Sequence, residues 1–130
     1  TVVRTPVLDM LPLNQDKGGM YSVAENPKHV QAMKEGKVRL ETMPFEVLLD
    51  DAVVFAHGAD KYGERNWRAQ QINASTYEGA IMRHFIAWAS GEDEDPDSGV
   101  SHLNHIRACC AIVLDSQRKG TLFVLKEEPW

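Results

Sequence analysis

The chain has 130 residues, 43% hydrophobic and 25% charged, which fits one compact globular domain and leaves little room for a second. Its formal charge of -5 and pI near 5.5 argue against a module that grips a nucleic-acid polymer, which needs a basic face. They do not exclude a nucleotide, because acidic residues can hold the cations that accompany phosphates.

The two cysteines, Cys109 and Cys110, are adjacent and cannot staple distant elements, a pattern suited to a reducing compartment. No apolar run approaches the roughly 18 residues of a membrane span, and no charged-then-apolar leader precedes Met20, so a cytoplasmic protein without a membrane partner is expected.

In chain order, residues 1–36 mix Pro6, Pro12, Pro27 and the Gly18–Gly19 pair with short apolar pieces. They read as an irregular arm with one short strand and one helical turn near Lys28 to Lys34. Residues 37–130 form the functional domain. Its first helix is predicted from Pro44 to about Ala59, with Phe45, Leu48, Leu49, Ala52, Val53 and Ala56 as the apolar stripe. Glu46 and Asp50 lie off that stripe, one turn apart, and are weaker site candidates. The segment KYGERNW, Lys61 to Trp67, follows. A second helix is capped by Ser75 or Thr76, with Glu78 early and Ile81, Phe85 and Trp88 on its apolar face, and it ends at Gly91. After the loop GEDEDPDSG a third helix is predicted from near Ser98 to about Ser116. Val100, Leu103, Ile106, Cys110, Val113 and Leu114 are its expected buried residues. TLFVLKE is strand-like or a loose tail, and the whole reads as an all-α domain.

The loop concentrates Glu92, Asp93, Glu94, Asp95 and Asp97 within six positions, a repulsion that a bound cation relieves. His84 precedes it, and His102 and His105 follow, three apart and so on one helical face. Pro96 and Gly99 supply the turn chemistry to fold the loop back toward that face. An EF-hand is excluded, since the sixth position counted from Asp93 is Ser98 rather than Gly and the twelfth is Asn104 rather than Glu. G-x-S-x-G, the P-loop and G-x-G-x-x-G are all absent, which leaves a metal-activated water as the simplest nucleophile. In KYGERNW, Lys61, Arg65 and the following Arg68 offer charge to phosphates. Tyr62 and Trp67 offer flat faces to a base, and Asn66 can pair with its edge. Arg83, beside His84, is a further phosphate fork.

The block GKVRLETMPFEVLLDDAVVFAHGADKYGERNW and the later RHFIAWASGEDEDPDSGVSHLNH resemble a phage and bacterial family of dATP/dGTP diphosphohydrolases, over about Gly36 to Leu114. That family is related to the MazG-like all-α nucleotide pyrophosphohydrolases. The resemblance implies a MazG-like helical bundle completed by oligomerisation as a dimer or tetramer. It also implies metal-dependent cleavage of dGTP or dATP to the monophosphate and pyrophosphate, with Mg²⁺ or Mn²⁺ as cofactor. A phage-encoded member would act in the host cytoplasm and supply dGMP for DNA carrying 2-aminoadenine. One departure is plain: the wider superfamily pairs E-x-x-E with E-x-x-D on successive helices. Here E-x-x-E is absent, and E-x-x-D occurs only in the loop, as Glu92–Asp95 and Glu94–Asp97.

The expected metal ligands are therefore Glu92, Asp95, His102 and His105, with Glu92, Asp95 and His102 catalytic. Lys61, Tyr62, Asn66, Trp67, Arg83 and His84 are expected to bind the substrate. Two other readings stand beside this one. An HD-like metal-dependent dNTP phosphohydrolase would share the His/Asp chemistry, and a non-enzymatic helical protein would bind a partner.

Overall fold

The computed structural model describes residues 26–125, which fall into two compact units, 26–44 and 45–125. In the smaller unit, α1 (Pro27–Lys34) begins at Asn26, whose side chain accepts from the Lys28 N–H, and Pro27 opens its first turn. A 3₁₀ turn follows at Leu40–Thr42. The helical turn expected near Lys28 is thus present. Residues 26–36 contain no strand, and the remainder of the expected arm lies outside the described residues.

The larger unit contains α2 (Phe45–Tyr62), α3 (Asn66–Ala69), β1 (Ile72–Asn73), α4 (Ala74–Ala89), α5 (His102–Lys119) and β2 (Leu122–Phe123). Among the described residues the fold is all-α apart from one short parallel pair, Ile72 opposite Leu122 and Asn73 opposite Phe123, and an isolated antiparallel bridge between Glu94 and Ser101. Helices α4 and α5 pack on each other and α2 lies against α5. The pair is antiparallel: His84, late in α4, meets His102 at the start of α5, while the earlier Tyr77 lies beside Cys109.

Helix boundaries follow the local hydrogen bonds. α4 is capped by Asn73, whose Oδ1 accepts from Ser75 N–H at 3.1 Å, rather than by Ser75 or Thr76. Asn73 is the last extended residue of β1, so it already stands at the junction, and Glu78 falls beyond the first turn. α5 starts at His102, capped by Ser101, rather than near Ser98. Residues 98–101 are used instead to turn the acidic loop back on itself. Asp95 N–H donates to Val100 O at 2.9 Å and His102 N–H to Asp93 O at 2.9 Å, with Gly99 in the left-handed region that the turn requires. At its other end Gly120 closes α5, and the fully buried Ser116 shares a 2.6 Å hydrogen bond with Thr121 that leads the chain into β2.

The core is small. Val54, Val100 and Ala108 form its centre with Val53 and Phe55 against them, and Ile72 and Ala74 are buried nearby. On α2 the inward face is partly polar: Asp50 is buried, and Asp51 accepts from Asn104 Nδ2 at 2.8 Å and from two nitrogens of Arg107. Of the expected stripe, Val53 packs against the core, Leu48 and Leu49 are half-buried, and Phe45, Ala52 and Ala56 are exposed. On α4 and α5, Phe85, Trp88, Leu103, Cys110 and Leu114 are also exposed rather than buried, Leu114 at 60%. Hydrophobic periodicity marks which faces are apolar, but one chain does not bury all of them. Among the described residues no helix is long and apolar enough to cross a membrane.

Candidate functional site

A cavity of about 900 Å³ opens between α2, the KYGERNW turn, α4, α5 and the acidic loop. Its polarity is divided along the α4–α5 pair. One end has Phe55, Trp67, Tyr77 and Ile112, and the other has Lys61, His84, Asp95, Asp97 and His105. Tyr77 and His84 are seven residues apart on one helix, so the two ends are separated by about 10 Å along its axis.

At the polar end His84 is the centre of the cluster. Its Nδ1 lies 2.8 Å from Nδ1 of His102 and 3.7 Å from Asp95 Oδ2, and its ring stacks on His105 with centroids 4.6 Å apart. His105 Nε2 contacts Ser98 Oγ at 2.6 Å and lies 3.9 Å from Asp95 Oδ2. His102 is 4% exposed, and its Nε2 is 2.7 Å from Glu92 Oε1. Burial lowers the pKa of His84. It does the same at His105, where the neighbouring His84 adds to the effect. Both therefore lean toward the neutral form, with a lone pair available. His84, Asp95 and His102 each offer one ligand atom, all within 4.8 Å of one another, a set able to hold a metal ion.

Asp97 turns the other way, to α2. It accepts from Lys61 Nζ and from His57 Nε2, the latter at 3.1 Å, and these partners bring its carboxyl down to about 2. Its backbone N–H donates to Asp95 Oδ1 at 2.8 Å, which ties the Lys61 pair to the histidine cluster.

The KYGERNW turn is anchored at the opposite end. Trp67 Nε1 and Arg68 Nε both donate to Asp115 Oδ2 at 2.7 Å, Arg68 Nη2 donates to Oδ1, and the Trp67 ring rests 6.0 Å from Phe55. The turn also holds Arg65 in the left-handed region at φ 50°, where a non-glycine residue is strained.

Of the residues singled out from sequence, Lys61, Tyr62, Asn66, Trp67, Arg83, His84, Asp95 and His105 all line this cavity. His102 stands behind its wall, and Glu92 stands behind His102, with a half-exposed side chain. Glu46 does not line it, and Asp50 is buried in the helix packing. Lys61 is already paired with Asp97. Arg83 and Arg65 face the cavity and, among the described residues, have no carboxylate within ion-pair distance. Gly79, one turn before Arg83, leaves room for its guanidinium: a Cβ there would stand 3.1 Å from Nη1. Sequence reasoning gives no ground for singling out His57, Tyr77 or Asp115. For His57 the available signal is its four-residue spacing from Lys61, which puts both on one helical face.

An all-α unit whose cavity is lined by aromatic rings, arginines and a His/Asp cluster has the features of a small-molecule site. The family comparison agrees: residues 27–124 match the model for the N-terminal domain of dATP/dGTP diphosphohydrolases, and the chain belongs to that family. No curated protein and no solved structure matches it.

Proposed function

We propose that the chain hydrolyses dATP and dGTP to the monophosphate and pyrophosphate, with a divalent metal at the polar end of the cavity. The observation that carries this reading is the divided cavity, with aromatic rings at one end and Arg83, Lys61 and the histidine cluster toward the other. A purine would lie against Trp67 and Tyr77, with Tyr62 and Asn66 at its edge, and the triphosphate would extend toward Arg83. Water adds to the α-phosphorus, and the bond to the β-phosphate oxygen breaks, releasing pyrophosphate. The donor set fits a metal, since two imidazoles and a carboxylate converge within 4.8 Å. When bound, such an ion polarises a phosphoryl oxygen and makes a bound water more acidic. The chain's own part is to position: Arg83 orients the phosphates, and Ser98 and the His84 ring fix His105 beside Asp95. With dGTP as substrate, the dGMP released would be a precursor for 2-aminoadenine DNA in a phage setting.

Self-association belongs to the same reading. Met82, Phe85 and Ile86 on α4 and Leu114 on α5 are exposed around a core of few buried apolar residues, a surface that a second copy would cover. The His/Asp cluster also favours one competing reaction, release of inorganic triphosphate and nucleoside by an HD-like phosphohydrolase. Product analysis on all dNTPs with Mg²⁺ and with Mn²⁺ tests both. Pyrophosphate with dAMP or dGMP supports the proposal, triphosphate with free nucleoside overturns it in favour of the second reading, and intact nucleotides overturn both.

A further inference from the structure

We propose that His84 Nδ1, His102 Nδ1 and Asp95 form the ligand set of one divalent transition metal, of the Mn²⁺, Fe²⁺, Co²⁺ and Zn²⁺ group, taken in preference to Mg²⁺. Glu92 orients His102 from outside that set. The role of this ion in hydrolysis rests on the reading above; its binding does not.

Hydrogen-bond bookkeeping leads to the proposal. The Glu92 carboxylate, 2.7 Å from His102 Nε2, can only accept, so Nε2 carries a hydrogen and Nδ1 is the nitrogen left to offer a lone pair. That lone pair points at His84 Nδ1, 2.8 Å away. Either His84 donates a hydrogen across this gap or both nitrogens converge on a cation. Asp95 favours the cation, because its Oδ2 is the third ligand atom of the group, 3.7 Å from His84 Nδ1. Two ligands at right angles, each about 2.1 Å from a metal, stand about 3.0 Å apart, close to the nitrogen separation already present. A short rotation of the Asp95 carboxylate completes one face of a six-coordinate site.

Three surrounding contacts fit the same assignment. A metal-binding histidine commonly donates its other N–H to a carboxylate, as His102 does to Glu92. His105 stacks on the His84 ring and Ser98 holds His105, so the ring of His84 is fixed before any ion arrives. His84 and Asp95 line the cavity whereas His102 stands behind them, so the open coordination positions face the substrate space. Two imidazoles among three ligands select the metal: Mg²⁺ prefers carboxylate and water oxygens, while imidazole is a better ligand for first-row transition ions, weakest for Mn²⁺.

The test is direct metal binding by the full chain after chelator stripping, with Co²⁺ as the visible probe. One Co²⁺ per chain is expected, with an absorption spectrum of nitrogen ligation. Zn²⁺ should displace it at comparable concentration, and Mg²⁺ should fail to do so even at roughly 1000-fold excess. His84→Ala should weaken Co²⁺ binding by about 100-fold or more, and Glu92→Gln by about 10- to 100-fold, with circular dichroism reporting that each remains folded. Displacement by Mg²⁺ at concentrations similar to Co²⁺ would overturn the proposal, and this arm needs only the wild-type chain. An unaltered Co²⁺ spectrum in folded His84→Ala would overturn it as well. Hydrolysis is scored separately. Binding as described with every dNTP left intact removes the proposed reaction and keeps the site. Cleavage in Mg²⁺ alone, unaffected by His84→Ala, removes the ion's role in hydrolysis and keeps the reaction.

Discussion

Replacing Gly79 by alanine puts a methyl group in the path of Arg83 while improving the helix that carries both. Glycine inside a helix costs about 0.5–1 kcal/mol relative to alanine, through the backbone freedom it loses on folding. Against that gain, the new Cβ meets only Arg83, with Nη1 at 3.1 Å and Cζ at 4.0 Å. The crowded group is the far end of a flexible, exposed side chain, so it moves aside at little cost to the fold. The variant should therefore be more stable by about 0.5–1 kcal/mol, a few degrees in melting temperature for a domain of this size. The same movement withdraws the guanidinium from its place in the cavity. KM for dATP or dGTP should rise about 2- to 5-fold in Gly79→Ala, against about 10-fold or more in Arg83→Ala, which loses a charge-assisted hydrogen bond of roughly 1.5–3 kcal/mol. Thermal unfolding and steady-state pyrophosphate release measure the two quantities, and the double variant should show no more KM loss than Arg83→Ala alone. A stabilised Gly79→Ala with unaltered KM would refute the placement of phosphate on Arg83. An equal KM rise on the Arg83→Ala background would show that the effect passes through the helix instead.

Asp51→Ala should destabilise the fold by about 1–3 kcal/mol in denaturant titration, because it strips the buried Asn104 amide and the Arg107 guanidinium of their shared acceptor. A loss under about 0.5 kcal/mol would mean that this polar tie does not hold α2 to α5. Asp115→Asn should lower the melting temperature at neutral pH. The Arg68 guanidinium, with the Trp67 N–H, keeps the Asp115 carboxyl well below the usual carboxylate range, so this stabilisation is present above the unfolded-state pKa and fades as pH falls. The gap to wild type should narrow below about pH 4, and a gap constant down to the acid limit would contradict the ionic account. Ile86→Glu alters a side chain 60% exposed in the single chain, so it should leave folding intact while reducing the mass measured by light scattering. An unaltered mass would remove α4 from any interface.

Much of the site was legible because its parts are local. Pro96 and Gly99 announce a loop that returns, and it does, through the paired backbones of Asp93–Asp95 and Val100–His102. The three-residue spacing of His102 and His105 puts both on the side that meets His84, itself upstream of the same loop. The illegible parts depend on helix rotation and on pairs far apart in sequence. Trp67 and Arg68 reach Asp115 almost fifty positions on, and His57 reaches Asp97 across forty. No local pattern encodes either pairing. The orientation of α2 is hidden for a different reason. Its apolar periodicity points to one face, whereas the chain turns Asp50, Asp51 and Val54 inward, keeps Val53 against the core and leaves Phe45, Ala52 and Ala56 outward. Periodicity reports which faces of a helix are apolar, not which of them this chain buries.

The acidic loop shows how charge that looks uniform in sequence becomes differentiated in space. Asp97 is paired with Lys61 and hydrogen-bonded to His57, Glu92 contacts His102, and Asp95 is directed at both His84 and His105. The consequence reaches the cations. With Lys61 committed to Asp97, the triphosphate of a bound nucleotide would draw first on Arg83 and Arg65, which carry no such partner among the described residues. On the proposed reading charge neutralisation would be divided: Lys61 of α2 settles the loop, and Arg83 of α4 with Arg65 would meet the phosphates. The histidine cluster, kept clear of both tasks, would then hold the proposed ion, with metal and phosphate on different residues.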